Sequence, residues 1–132
     1  FKIIGKIKKI ILIKGEFMPN QTNDLLNSNE VKNFISKHIR SITHLKVLLL
    51  LYQNQRQEFS IKMFEEALNS SSELLVKVSN ELLANKLIGT RMNGKLNCYW
   101  YLTNEERNPV LALINKAYSK NSSEVIDLIL KK

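Results

Sequence analysis

Between Ser60 and Leu102 the spacing of apolar residues changes from a helical period to a strand period, with a turn signal at each change. Few architectures accommodate that succession in so short a stretch. Ser60 is placed to cap a helix in which Ile61, Met63, Phe64, Ala67 and Leu68 are spaced for burial, and Asn69 to Ser72 close it. Next, Leu75, Val78 and Leu82 recur at i, i+3 and i+7, so a second helix buries one face and turns Glu73, Val76, Lys77, Asn80 and Ala84 outward. Leu87 and Ile88 then open a strand. Asn93-Gly94 supplies the positive φ that a tight hairpin needs, and Lys95 to Leu102 forms a return strand rich in aromatic residues.

Two hairpin registers compete, and a one-residue slip between them sends every side chain to the opposite face. A two-residue loop of Asn93 and Gly94 sets Arg91 opposite Leu96 and mixes charge into the face of Leu96, Cys98 and Trp100. A three-residue loop of Met92, Asn93 and Gly94 instead groups Ile88 and Thr90 with Leu96, Cys98, Trp100 and Leu102, and is the preferred register. It puts Arg91 opposite Lys95 at the tip, a mildly repulsive pair that a bound phosphate would relieve, unless both side chains splay into water. Helix, turn, helix and hairpin in this order predict a winged helix. The fold class expected is mainly α with a small β-hairpin, a winged helix-turn-helix with flanking N- and C-terminal helices.

The 132 residues, 44% hydrophobic, suffice for one modest domain with a single core. A net charge of +8 points to an acidic partner such as nucleic acid or an anionic membrane. Half of it lies in residues 1–17, where five lysines face one glutamate; the remainder holds 15 basic against 11 acidic residues. The helix-turn-helix segment is therefore only mildly basic. The single cysteine, Cys98, excludes a disulfide framework and a cysteine-based zinc cluster, and fits a small core residue in a reducing compartment.

Residues 1–17 differ in composition from everything after them. One reading is a cationic helix lying on a membrane, with Ile3, Ile4, Ile7, Ile10 and Ile11 opposite Lys2, Lys6, Lys8 and Lys9. The preferred one is a non-native or leader segment preceding a start at Met18, since Lys14 to Met18 can be encoded by AAA GGA GAA TTT ATG, which contains a bacterial ribosome-binding sequence. The run Ile10 to Ile13 is too short for a stable membrane span. Residues 18–27 read as a flexible lead-in, and 28–132 as a single winged-helix domain with a C-terminal helical extension.

Ser28 can cap a helix carrying Val31, Phe34, Ile35 and Ile39 on one face. From about Ile42 to Asn54 a second helix, with Leu45 and Val47 to Leu51, is apolar nearly all round and must be the central core helix. Phe59 is a candidate short third strand. Asn108-Pro109 reads as an N-cap followed by proline at the first helical position, and the helix after it has no glycine or proline to stop it. Its stripes, Val110 to Tyr118 and Val125 to Leu130, exceed what a small winged helix buries. A homodimer through the C-terminal helix is one use; closing the monomer's own core with the 31–39 helix is the other.

The segments LKVLLLLY (Leu45 to Tyr52), SNELLANKLI (Ser79 to Ile88) and YWYLT (Tyr99 to Thr103) resemble winged-helix transcription regulators of the broad MarR-like kind. NPVLALINKAY and EVIDLIL extend the likeness to small uncharacterised bacterial winged-helix proteins, over about two-thirds of the chain. In that family the segment before the wing commonly reads L-x-x-x-G-L-I; here Lys86 replaces the glycine, so Asn85 or Lys86 must turn left-handed. The resemblance implies a cytoplasmic regulator binding double-stranded DNA, with Ser71, Ser72, Glu73, Val76, Lys77 and Asn80 facing the major groove and Arg91 and Lys95 reaching the backbone or minor groove. That surface offers few cations, and Asn80 is its one good base reader.

The alternative is a winged helix used for protein contact. Nothing points to an enzyme or to a cofactor. His38 and His44 are the only histidines and are expected at helix ends, and no metal-ligand spacing, carboxylate cluster or glycine-rich phosphate loop is present. Tyr99, Trp100 and Tyr101 alternate faces, half core and half surface, rather than forming a ligand cage.

Overall fold

A computed structural model describes residues 29–130. The expectations for residues 1–17 and 18–27, and the Ser28 cap, lie outside the described residues. The elements are α1 (Asn29–His38), α2 (Ile42–Gln53), β1 (Phe59–Ser60), α3 (Ile61–Leu68), α4 (Ser72–Ala84), β2 (Ile88–Asn93), β3 (Leu96–Tyr101), α5 (Asn108–Lys120) and α6 (Ser122–Leu130). The strands form an antiparallel sheet in the order β1-β3-β2, so Phe59 does open a third strand, paired with Tyr99.

The helix α2 is the core helix its composition demands. Leu45, Val47, Leu48, Leu49 and Leu51 are all buried, and Ser41 caps its first turn by accepting from the His44 amide. One cluster of buried side chains runs from Val31 to Ile129, joining the winged helix to α1, α5 and α6. The C-terminal stripes are thus largely consumed by the monomer: Leu111, Ile114, Ala117, Val125 and Ile129 are buried, and α1 packs on both α5 and α6. The expected continuous C-terminal helix is broken at Asn121, whose extended backbone and side-chain bond to Glu124 (2.8 Å) restart the chain as α6. Asn108 is also not the cap. It lies inside α5, where its Oδ1 accepts from the Tyr101 hydroxyl (2.5 Å) and the Asn104 amide (3.3 Å).

Neither sequence-derived hairpin register is the one adopted. Asn93 pairs with Leu96, leaving Gly94-Lys95 as the loop, with Gly94 at φ 70° in the first central position that a type II′ turn reserves for glycine. Arg91 consequently faces Cys98 rather than Lys95, and Ile88 shares its face with Tyr99 and Tyr101 instead of with Cys98 and Trp100. Aromatic burial decides the matter. Tyr101 meets Tyr52 edge-on at 5.4 Å and Tyr99 lies 6.0 Å from Phe64, which itself stacks on Phe59. Burying two tyrosine rings removes far more apolar surface from water than burying Leu96, which is left 60% exposed.

Candidate nucleic-acid interface

The outward surface of α4 is set by its inward one. Leu75, Val78, Ser79 and Leu82 are buried against the core, which leaves Ser72, Glu73, Val76, Lys77, Asn80 and Ala84 exposed, as their spacing requires. Ser71 precedes the helix as its N-cap, accepting from the Leu74 amide at 3.3 Å. Of the expected site residues, those on α4 therefore share one exposed face.

A partly buried polar link joins α4 to α2. His44, 5% exposed on the first turn of α2, bonds Glu81 of α4 through Nε2 at 2.5 Å and Ser41 Oγ through Nδ1 at 2.7 Å. The hydrogen bond from His44 holds the Glu81 carboxyl below its usual range, burial opposes this, and the charges of His44, Lys77 and Arg40 add to the lowering. Sequence spacing places His44 at a helix end but gives no sign of a partner 37 residues away.

The helix ends in two hydrogen bonds, Leu87 N to Leu82 O (3.0 Å) and Lys86 N to Leu83 O (2.9 Å), the pairing of a Schellman motif. Lys86 takes the left-handed conformation at φ 61°, while Asn85 stays at φ −88°. This turn joins α4 to β2. On the wing, the two cations separate in role. Lys95 sits exposed in the loop, whereas Arg91 is forked onto Glu58, Nη2 to Oε2 at 2.9 Å and Nε to Oε1 at 3.1 Å. Glu58 was not among the expected residues. It precedes Phe59, and the pairing of Phe59 with Tyr99 brings it to the same side of the sheet as Arg91.

Trp100 also lies on that outer side. It crosses Gly89 so closely that a Cβ there would stand 2.6 Å from the indole, so only glycine fits. The exposed apolar side chains of this region are Leu74, Val76, Met92 and Leu96. Among the described residues no three His, Cys, Asp or Glu side chains are grouped to hold a metal ion, and no helix is long and apolar enough to cross a membrane.

No protein-family model matches the chain, and no curated protein matches it. Among solved structures it is similar to the adhesin competence repressor AdcR of Streptococcus pyogenes, with a TM-score of 0.51 and 16% identity over 85% of this chain and 80% of that one. It is also similar to a double mutant of ZitR from Lactococcus lactis, with a TM-score of 0.49 and 19% identity over 89% and 86% of the two chains. At such identity the likeness to AdcR is one of fold, and the fold is the winged helix expected from the order of elements.

Proposed function

We propose that the chain is a DNA-binding transcriptional regulator, inserting α4 into the major groove with the β2–β3 wing against the backbone. One observation carries the reading: the core-facing residues of α4 are all apolar or small, and Ser72, Glu73, Val76, Lys77 and Asn80 stand exposed together beside a two-stranded wing. Its fold, shared with a repressor, supports it. Ser71 and Ser72 at the start of α4 approach the phosphates, and the first turns approach base edges. Lys77, Lys95 and, once released from Glu58, Arg91 supply the phosphate contacts.

Such a protein does no covalent chemistry and needs no cofactor. It works in the bacterial cytoplasm as a two-fold dimer, the symmetry that sets two recognition helices one turn of DNA apart. The end of α6 supports the dimer, with Leu130 68% exposed and Ile126 and Leu128 half-buried.

Fluorescence anisotropy with mixed duplex DNA at several salt concentrations tests the reading. Two or three cationic contacts per protomer, four to six per dimer, give a slope of log K against log salt of roughly −4 to −5, and Lys95→Ala, which removes one contact from each protomer, lowers its magnitude by about 2. The exposed Leu74, Val76, Met92 and Leu96 favour a second reading, a winged helix that docks on another protein. Absence of duplex binding at low salt selects that alternative.

A further inference from the structure

The helix α4 carries no arginine, and Lys77 is its only cation. The commonest specific contact in the major groove is a bidentate Arg or Lys on O6 and N7 of guanine. Lys77 is poorly placed for that role, because Glu73 lies one turn before it on the same outward stripe and cancels part of its field. Guanine therefore finds no strong donor on this helix.

What α4 does present is an amide and an aliphatic surface. Asn80 is exposed, and Val76, 42% exposed, lies one turn before it. The asparagine amide offers an acceptor and a donor in one plane, matching the N6 donor and N7 acceptor of adenine. A valine side chain offers only van der Waals contact, and the one apolar group on the floor of the major groove is the 5-methyl of thymine. Four residues span about 6 Å of helix axis. With base pairs stacked roughly 3.4 Å apart, the two side chains reach pairs one or two steps from each other.

We infer that α4 reads a half-site whose contacted pairs are A·T, Asn80 taking an adenine and Val76 the methyl of a nearby thymine. This rests on the DNA-binding reading and names the base class that the helix selects. Specificity then comes from shape and one amide, while affinity comes from the few cations around it.

Selection of duplexes from a random library by the full chain, followed by anisotropy on the selected site with single base analogues, tests it. Deoxyuridine in place of the thymine removes only the methyl, and 7-deazaadenine removes only N7. The expected half-site is A·T at the contacted pairs. Each analogue weakens the unaltered chain by about tenfold; Val76→Ala becomes indifferent to uracil, and Asn80→Ala to deazaadenine. A folding defect would weaken all duplexes alike and is told apart by that pattern. Contacted pairs that are G·C, or analogues that act equally on the unaltered chain and both variants, overturn the inference. Salt-dependent binding to mixed duplex without enrichment of any site overturns it and leaves the DNA-binding reading standing. No binding to any duplex at low salt removes both.

Discussion

Lys86 occupies a position that glycine fills more cheaply. Its φ of 61° brings Cβ against the following carbonyl, a cost of roughly 1–2 kcal/mol that the Schellman hydrogen bonds over-determine. Glycine relieves the strain but adds freedom to the unfolded chain, so Lys86→Gly should stabilise the protein by about 1 kcal/mol net, read as a higher urea midpoint at unchanged slope. Arg91 and Glu58 pose a different residue-scale question. Both are substantially exposed, so the pair contributes at most about 1 kcal/mol to stability. Its larger effect is on the wing's charge, because the carboxylate both neutralises and orients the guanidinium. Glu58→Ala frees one Arg91 in each protomer of the dimer, so it should raise duplex affinity several-fold at low salt and steepen the salt slope by about 2. An unchanged slope would show that Arg91 does not reach phosphate.

At the scale of elements, two junctions govern the interface. The wing depends on the close crossing of Trp100 over Gly89, which are directly paired in the ladder. Gly89→Ala must push the indole aside or splay the strands, so a loss of about 1–3 kcal/mol and a red shift of tryptophan emission are expected, with Trp100 the only tryptophan to report. The placement of α4 depends on His44. Removing its imidazole leaves Glu81 without its hydrogen-bond donor and opens a gap between α2 and α4. His44→Ala should cost about 2–3 kcal/mol, with amide exchange rising first along α4. Uniform exchange across the fold would instead mean that the link is not local to that helix.

For the whole molecule, acid should loosen the fold before base does. Burial lowers the pKa of His38, and the charges of Lys37 and Arg107 lower it further; Glu81 is lowered chiefly by its bond to His44. In both cases the unfolded chain binds protons first as pH falls. The His38 contribution is therefore complete above about pH 6.5 and is lost on acidification through the folded value. That of Glu81 is lost lower, below the ordinary glutamate range. Urea midpoints should fall from pH 7 to pH 5 and again towards pH 3, and His38→Gln should flatten only the first fall. In the opposite direction, burial raises the pKa of Tyr52, Tyr99 and Tyr101, so stability falls again above about pH 10. Much of the architecture was legible in the chain because it is written in local periods: the 3.6-residue stripe of α4, the all-round apolarity of α2, and the Ser60 cap before its helix. The outward set on α4 followed from the same stripe, since whatever the core does not take must face water. The hairpin register did not follow, because Asn93-Gly94 allows several loops of similar local energy and the choice fell to which aromatics could reach Phe64 and Tyr52. Nor did the pairs Arg91–Glu58 and His44–Glu81, which join residues far apart in the chain. Sequence alone determined which faces the helices bury and most of the elements, the break at Asn121 excepted, as these depend on neighbours a few residues away. Only the tertiary structure decided how the strands align and which charges are spoken for, because those depend on packing between distant segments.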